Sequence, residues 1–161
     1  MRLSKSNIIL MVLIFIAFSG LGLYLVDLWD IATNEKQAVE MKLASKDCNV
    51  ILEPCSASVD GKVIRLVLHG PVRYLQHFDY SIEMHGFDLN VIEKISVQFD
   101  MIDMHMGMNR YLPRPSEDGL TWTGVAVLPV CVTGRKDWQV TVLFESTEEN
   151  YRARFNFSIQ G

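Results

Sequence analysis

The stretch DMIDMHMGMNRY, Asp100 to Tyr111, holds four of the chain's eight methionines, with His105 among them. Thioether sulfur is the soft ligand type that selects Cu(I), and it binds without losing a proton. Hard cations such as Ca²⁺ and Mg²⁺ want oxygen, which the run supplies only from Asp100, Asp103 and Asn109. Met104, Met106 and Met108 are therefore candidate Cu(I) ligands. His105 and Cys131 are the natural strengthening ligands, because imidazole and thiolate both bind copper well. EMHG, Glu83 to Gly86, offers a second Met–His pair. Met84 and His85 have opposite strand parity, so one of them is available, and His85 joins the candidate set. On a straight strand Met104 and Met108 would stand about 13 Å apart. Gly107 lets the chain curl, and Met104 with Met106 is the leading pair. The competing reading is that methionine fills core gaps or meets a partner protein.

The pattern around the run predicts what positions these residues. In VIEKISVQFDM, Ile95, Val97, Phe99 and Met101 fall on one face, and Ser96, Gln98 and Asp100 on the other. Carried forward without a bulge, that alternation points Met104, Met106 and Met108 away from the core. VIRLVLH, YSIEMH, WTGVAVL, WQVTVLFE and YRARFNFSI read as further strands, separated by turn residues such as Asp60-Gly61, Gly70-Pro71 and the SEDG run. Ala153, Phe155, Phe157 and Ile159 form the inward face of the last. The expected fold class is all-β, an antiparallel β-sandwich of about seven strands across residues 47–161. Trp122 and Trp138 read as core, and His69 and His77 as ordinary strand-end or loop histidines.

Ahead of that domain, no charge falls between Lys5 and Asp27, and IILMVLIFIAFSGLGLYLV fills most of the gap. A helix needs about 20 apolar residues to cross the hydrocarbon core. Arg2 and Lys5 before the run and Asp27 and Asp30 after it place the N-terminus in the cytoplasm and export the rest. A cleaved export signal, with Ala17 and Ser19 as small residues, is the alternative. The apolar run continues past them through Val26, which favours an uncleaved transmembrane anchor over residues 1–29. Residues 30–46, rich in helix formers and free of Pro and Gly, are expected to continue as a helical stalk.

The three cysteines bear on compartment. Outside the cytosol an even pair usually closes a disulfide. Cys48 and Cys55 would lie about 23 Å apart if extended, so joining them requires a reversal, which Glu53-Pro54 could help provide. That pairing is favoured, with Cys131 as the free thiol; Cys55–Cys131 and Cys48–Cys131 remain open. The chain has no Cys-x-x-Cys, and a thioredoxin-type site is not expected. A net charge of −4 without a basic cluster gives no electrostatic footprint for nucleic acid. No nucleophile elbow, paired-His zinc motif or Gly-rich phosphate loop is present, so an enzyme is not expected.

DMHMGMNRYLP, followed by DGLTWTGVAVLPVC and GRKDW, resembles the membrane-anchored exported proteins of the FixH and YtkA-like kind. It is similar, less closely, to the Met/His-rich periplasmic copper chaperones. The resemblance covers roughly residues 100–138, and within it Met104, Met106 and Cys131 fit the motif. It implies an immunoglobulin-like domain behind one transmembrane helix in a bacterial inner membrane, with the domain periplasmic. It also implies copper handling for an acceptor cuproprotein, such as a respiratory oxidase under assembly. The chain departs from the copper chaperones in lacking a second His-rich segment and in carrying Cys48 and Cys55. Two functions are thus in view: a membrane-tethered Cu(I)-binding chaperone or assembly factor, and a non-metal scaffold subunit whose Met-rich face contacts a partner.

Overall fold

A computed structural model describes residues 37–104, 107, 109–130 and 134–159. The anchor assigned to residues 1–29, and the stalk as far as 36, lie outside the described residues. Eleven strands follow: β1 (Val39–Glu40), β2 (Lys42–Leu43), β3 (Cys55–Val59), β4 (Lys62–His69), β5 (His77–His85), β6 (Ile92–Met101), β7 (Arg110–Tyr111), β8 (Arg114–Pro115), β9 (Thr121–Val127), β10 (Asp137–Ser146) and β11 (Tyr151–Ser158). They form two sheets, in the orders β1-β11-β10-β6-β7 and β2-β3-β4-β5-β9-β8. The chain is all-β over this region; a short 3-10 turn at Leu89–Val91 is the one helical element among the described residues.

Seven strands have five residues or more, and four have only two. The short ones share a purpose at the rims. β1 pairs with β11 in one sheet, the chain buries Met41, and β2 then pairs with β3 in the other. At the opposite rim β7 pairs with β6, Pro113 is buried, and β8 pairs with β9. Each rim is thus crossed by a segment that belongs to both sheets, which covers edges otherwise open to foreign strands. The helical stalk expected over residues 30–46 is corrected here: 39–43 is extended chain, and the compact unit begins at Gln37. Helix propensity lost to the backbone pairing and to the burial of Met41.

Inside, the alternation is clean. Ile95, Val97, Phe99 and Met101 of β6 are buried, as are Val140, Val142 and Phe144 of β10 and Ala153, Phe155 and Phe157 of β11. Trp138 is fully buried, whereas Trp122 is half-buried and donates its indole N–H to the Gly119 carbonyl at 3.0 Å. Tyr80 of β5 lies opposite Gly124 of β9, and a Cβ at 124 would collide with the tyrosine hydroxyl and ring. That hydroxyl is buried with no hydrogen-bond partner among the described residues, and burial pushes its pKa far up.

Cys48 and Cys55 form a disulfide, with Cα atoms 5.8 Å apart. The reversal that joins them centres on Asn49. Its carbonyl accepts from the Leu52 and Glu53 amides, and its side chain accepts from the Ile51 amide.

The two ends of the sandwich differ. At the near end, where Val39 comes in beside Tyr151, Phe87 stacks on Phe144 at 5.3 Å and meets Tyr151 edge-on, and Lys62 Nζ lies 5.1 Å over the Tyr151 ring. At the far end Tyr74, between β4 and β5, packs on Trp138 at the start of β10. The ten residues of β10 put these ends about 30 Å apart.

Candidate metal centre

The methionine-rich segment lies at the far end, between β6 and β7. β6 ends at Met101, buried at 1% exposure, and the chain then turns back on itself: the Met104 amide donates to the Met101 carbonyl at 3.0 Å. Asp103 makes the turn at φ +60°, a left-handed conformation that aspartate tolerates better than most residues. The straight strand expected through Met108 therefore stops at Met101, and the strand-parity argument and the 13 Å spacing built on it do not apply. Met104 is exposed (39%), presented by the turn rather than by strand alternation. His105, Met106 and Met108 lie outside the described residues, as does Cys131.

Both feet of the segment are tied to the stretch that carries Cys131. On one side the Arg135 guanidinium donates to the Ile102 carbonyl at 2.8 Å and pairs with the Asp137 carboxylate, while the Ile102 amide donates to the Asp137 carbonyl at 3.3 Å. The Arg135 hydrogen bond holds the Asp137 carboxyl below the usual carboxylate range. On the other side Asn109, buried, donates from its side chain to the Phe99 carbonyl at 2.8 Å and accepts the Phe99 amide at 3.0 Å. The Tyr111 hydroxyl lies 2.8 Å from both the Asn109 side-chain oxygen and the Val127 carbonyl, and accepts the Val127 amide at 3.0 Å. Its single proton serves one of those oxygens at a time. Val127 and Arg135 each lie four residues from Cys131 along the chain. Val127 and Arg135 are thus each bonded to a foot of the methionine segment.

His85 does not belong to this group. It is exposed at the end of β5, opposite Val63 of β4, which is the near end. The nine residues of β5 place it about 25 Å from the far end. Strand parity addressed only which face a side chain takes; position along the strand removed it. The histidines passed over as ordinary lie on the methionine side instead. His77, exposed, starts β5 opposite Val127. His69 ends β4, and its Nε2 shares a hydrogen bond with Ser81 Oγ at 2.8 Å. Among the described residues no three His, Cys, Asp or Glu side chains gather as a metal ion held by nitrogen and oxygen would need.

Comparison with protein-family models, curated proteins and solved structures finds no match to this chain.

Proposed function

We propose that the chain is a membrane-tethered Cu(I)-binding protein: an N-terminal single-pass anchor with its start in the cytoplasm, and an exported immunoglobulin-like domain whose far end holds the ion and passes it to an acceptor cuproprotein. One observation carries the reading. Arg135 bonds to Ile102 and Tyr111 to Val127, described residues on either side of the methionine segment and of Cys131, and this supports assigning soft donors from both parts of the chain to one end of the domain. Met104 already offers an exposed thioether there, a ligand that fits Cu(I) and works across a wide pH range. Met106, Met108, His105 and Cys131 are the remaining donors assigned to the site. The Cys48–Cys55 disulfide suits an oxidising compartment outside the cytosol. A tether keeps donor and acceptor at high effective concentration, so modest affinity suffices for transfer.

The test is an anaerobic Cu(I) titration of the full chain in detergent against a chromophoric competitor, with X-ray absorption to identify the scatterers. The expected result is about one equivalent, with sulfur in the first shell. Met104→Leu with Met106→Leu, which preserves apolar bulk, abolishes binding while the melting curve stays in place. Unchanged stoichiometry in that double variant would remove copper from the account and leave the scaffold reading.

A further inference from the structure

We propose that the outer edge of β11, from Arg154 to Ser158, pairs antiparallel with the same edge of a second copy of the chain, joining two sheets into one. On one side β11 is paired with β10 from Tyr151 to Ser158. On the other, β1 reaches only Tyr151 and Arg152 before the chain crosses to the second sheet. The Met41 amide donates to the Arg152 carbonyl at 2.7 Å, so the backbone of Arg152 faces away from β10. The Ile159 amide donates to the Lys136 carbonyl at 3.1 Å, so the backbone of Ile159 faces the β10 side. Strand period then turns the N–H and C=O groups of Arg154, Asn156 and Ser158 outward. Among the described residues none of these groups has a backbone partner. The edge stays open over about 14 Å. It carries no proline and no bulge, and its one charge, Arg154, is paired with Glu40 at 3.2 Å. The devices that keep an edge from recruiting another strand are missing here.

The order of residues along the edge selects the partner. In antiparallel pairing, residues whose backbone groups face outward on one strand meet such residues on the other, and each pair exchanges two hydrogen bonds. A two-fold axis through Asn156 sets Arg154 opposite Ser158, Asn156 opposite Asn156 and Ser158 opposite Arg154. Every open position is then filled, and no two like charges meet. A register centred on Arg154 fails twice. It sets arginine against arginine, and it drives the incoming strand into the place β1 holds beside Arg152. On the inward face of the favoured register, Phe155 of each copy stands opposite Phe157 of the other. Both rings are buried in their own domain, so the two cores meet edge to edge. A foreign strand would satisfy the same backbone groups, but this edge is matched to itself in length and in charge. The proposal does not rest on copper.

Sedimentation equilibrium of the full chain in detergent, over a concentration series, tests it. A monomer–dimer equilibrium is expected. Ser158→Glu sets a carboxylate opposite Arg154 at two symmetric places and should tighten the dimer roughly fivefold. Asn156→Lys sets two ammonium groups face to face on the axis and should weaken it roughly tenfold. Both side chains are exposed, so the melting curve of the dilute protein should stay in place, which separates a lost contact from a lost fold. In a Cys131→Ser background, Asn156→Cys should give a covalent dimer on mild oxidation in native membranes. Glu117→Cys, at an exposed position between β8 and β9, should not. Met104→Leu with Met106→Leu leaves the dimer unchanged, so this proposal and the copper reading fail separately. A monomer at every concentration, or a dimer indifferent to the changes at 156 and 158, would overturn the proposal. So would equal cross-linking from 117, or an adduct from 156 with a different protein.

Discussion

Rings pack at both ends of the sandwich, Phe87 on Phe144 at the near end and Tyr74 and Phe157 on Trp138 at the far end, but the connecting segments are held differently. At the near end Phe87, Phe144 and Tyr151 pack ring against ring, and the contact is made by burial, which is strong but indifferent to small changes in position. At the far end the segments are held by directed hydrogen bonds from Arg135, Asn109, Tyr111 and Tyr74 to backbone carbonyls. Such bonds set where a loop begins and ends while leaving its own side chains uncommitted. Met104, Leu75 and Val130 are accordingly exposed there. Leu120 is exposed at the near end as well, so the difference lies in how the segments are held.

The sharpest way to break this comparison is to attack the near end. Phe144→Ala, at a fully buried side chain stacked on Phe87, should cost about 3–5 kcal/mol of stability. In the fraction that remains folded, Cu(I) affinity should not change. Chemical denaturation alongside metal competition reads both quantities, and a parallel loss of affinity would mean the two ends are not separable.

A smaller effect is expected at the far end, with the opposite balance. The Arg135–Asp137 pair is well exposed, so Arg135→Ala should lower global stability by no more than about 1 kcal/mol. It frees the Ile102 carbonyl, and Cu(I) affinity should fall roughly tenfold, the lower end of what orienting partners contribute. Wild-type affinity in this variant would show that the clamp does not position the donors.

The smallest effect is a matter of pH. Because Arg135 lowers the Asp137 carboxyl below its ordinary value of 3.8, the charged form is favoured in the fold. The stabilisation is present above that ordinary value and is lost as pH falls through the lower folded one. NMR signals of Ile102 and Arg135 should therefore hold steady from neutral pH to about 4 and move only below it. Asp137→Asn should erase that transition; a midpoint at or above the ordinary value would show the clamp to be idle.

Much of the architecture was legible in the residues, because period-2 alternation reports directly which side chains face a core. β6, β10 and β11 could be read this way, down to Met101 as an inward residue. The disulfide partners were legible too, though the reversal rests on Asn49 rather than on Glu53-Pro54. Residues 39–43 were not, since two-residue strands carry no period and VEMKL reads as well for helix as for sheet. The turn at Asp103 was also hidden. Nothing local marks a left-handed aspartate inside an apparently continuous strand, and the outward reading of Met106 and Met108 depended on its absence.

The sequence by itself determined the strand pattern, the inward faces and the supply of soft donors, because side-chain type and period are local properties. Only the tertiary structure decided which donors share an end. His85 and His77 belong to one strand, and its direction sends the first to the near end and the second to the far end. Gly124 likewise has no local reason to be glycine until Tyr80 is laid across it from the neighbouring strand. Register and strand direction join residues far apart in the chain, and no short stretch holds that information.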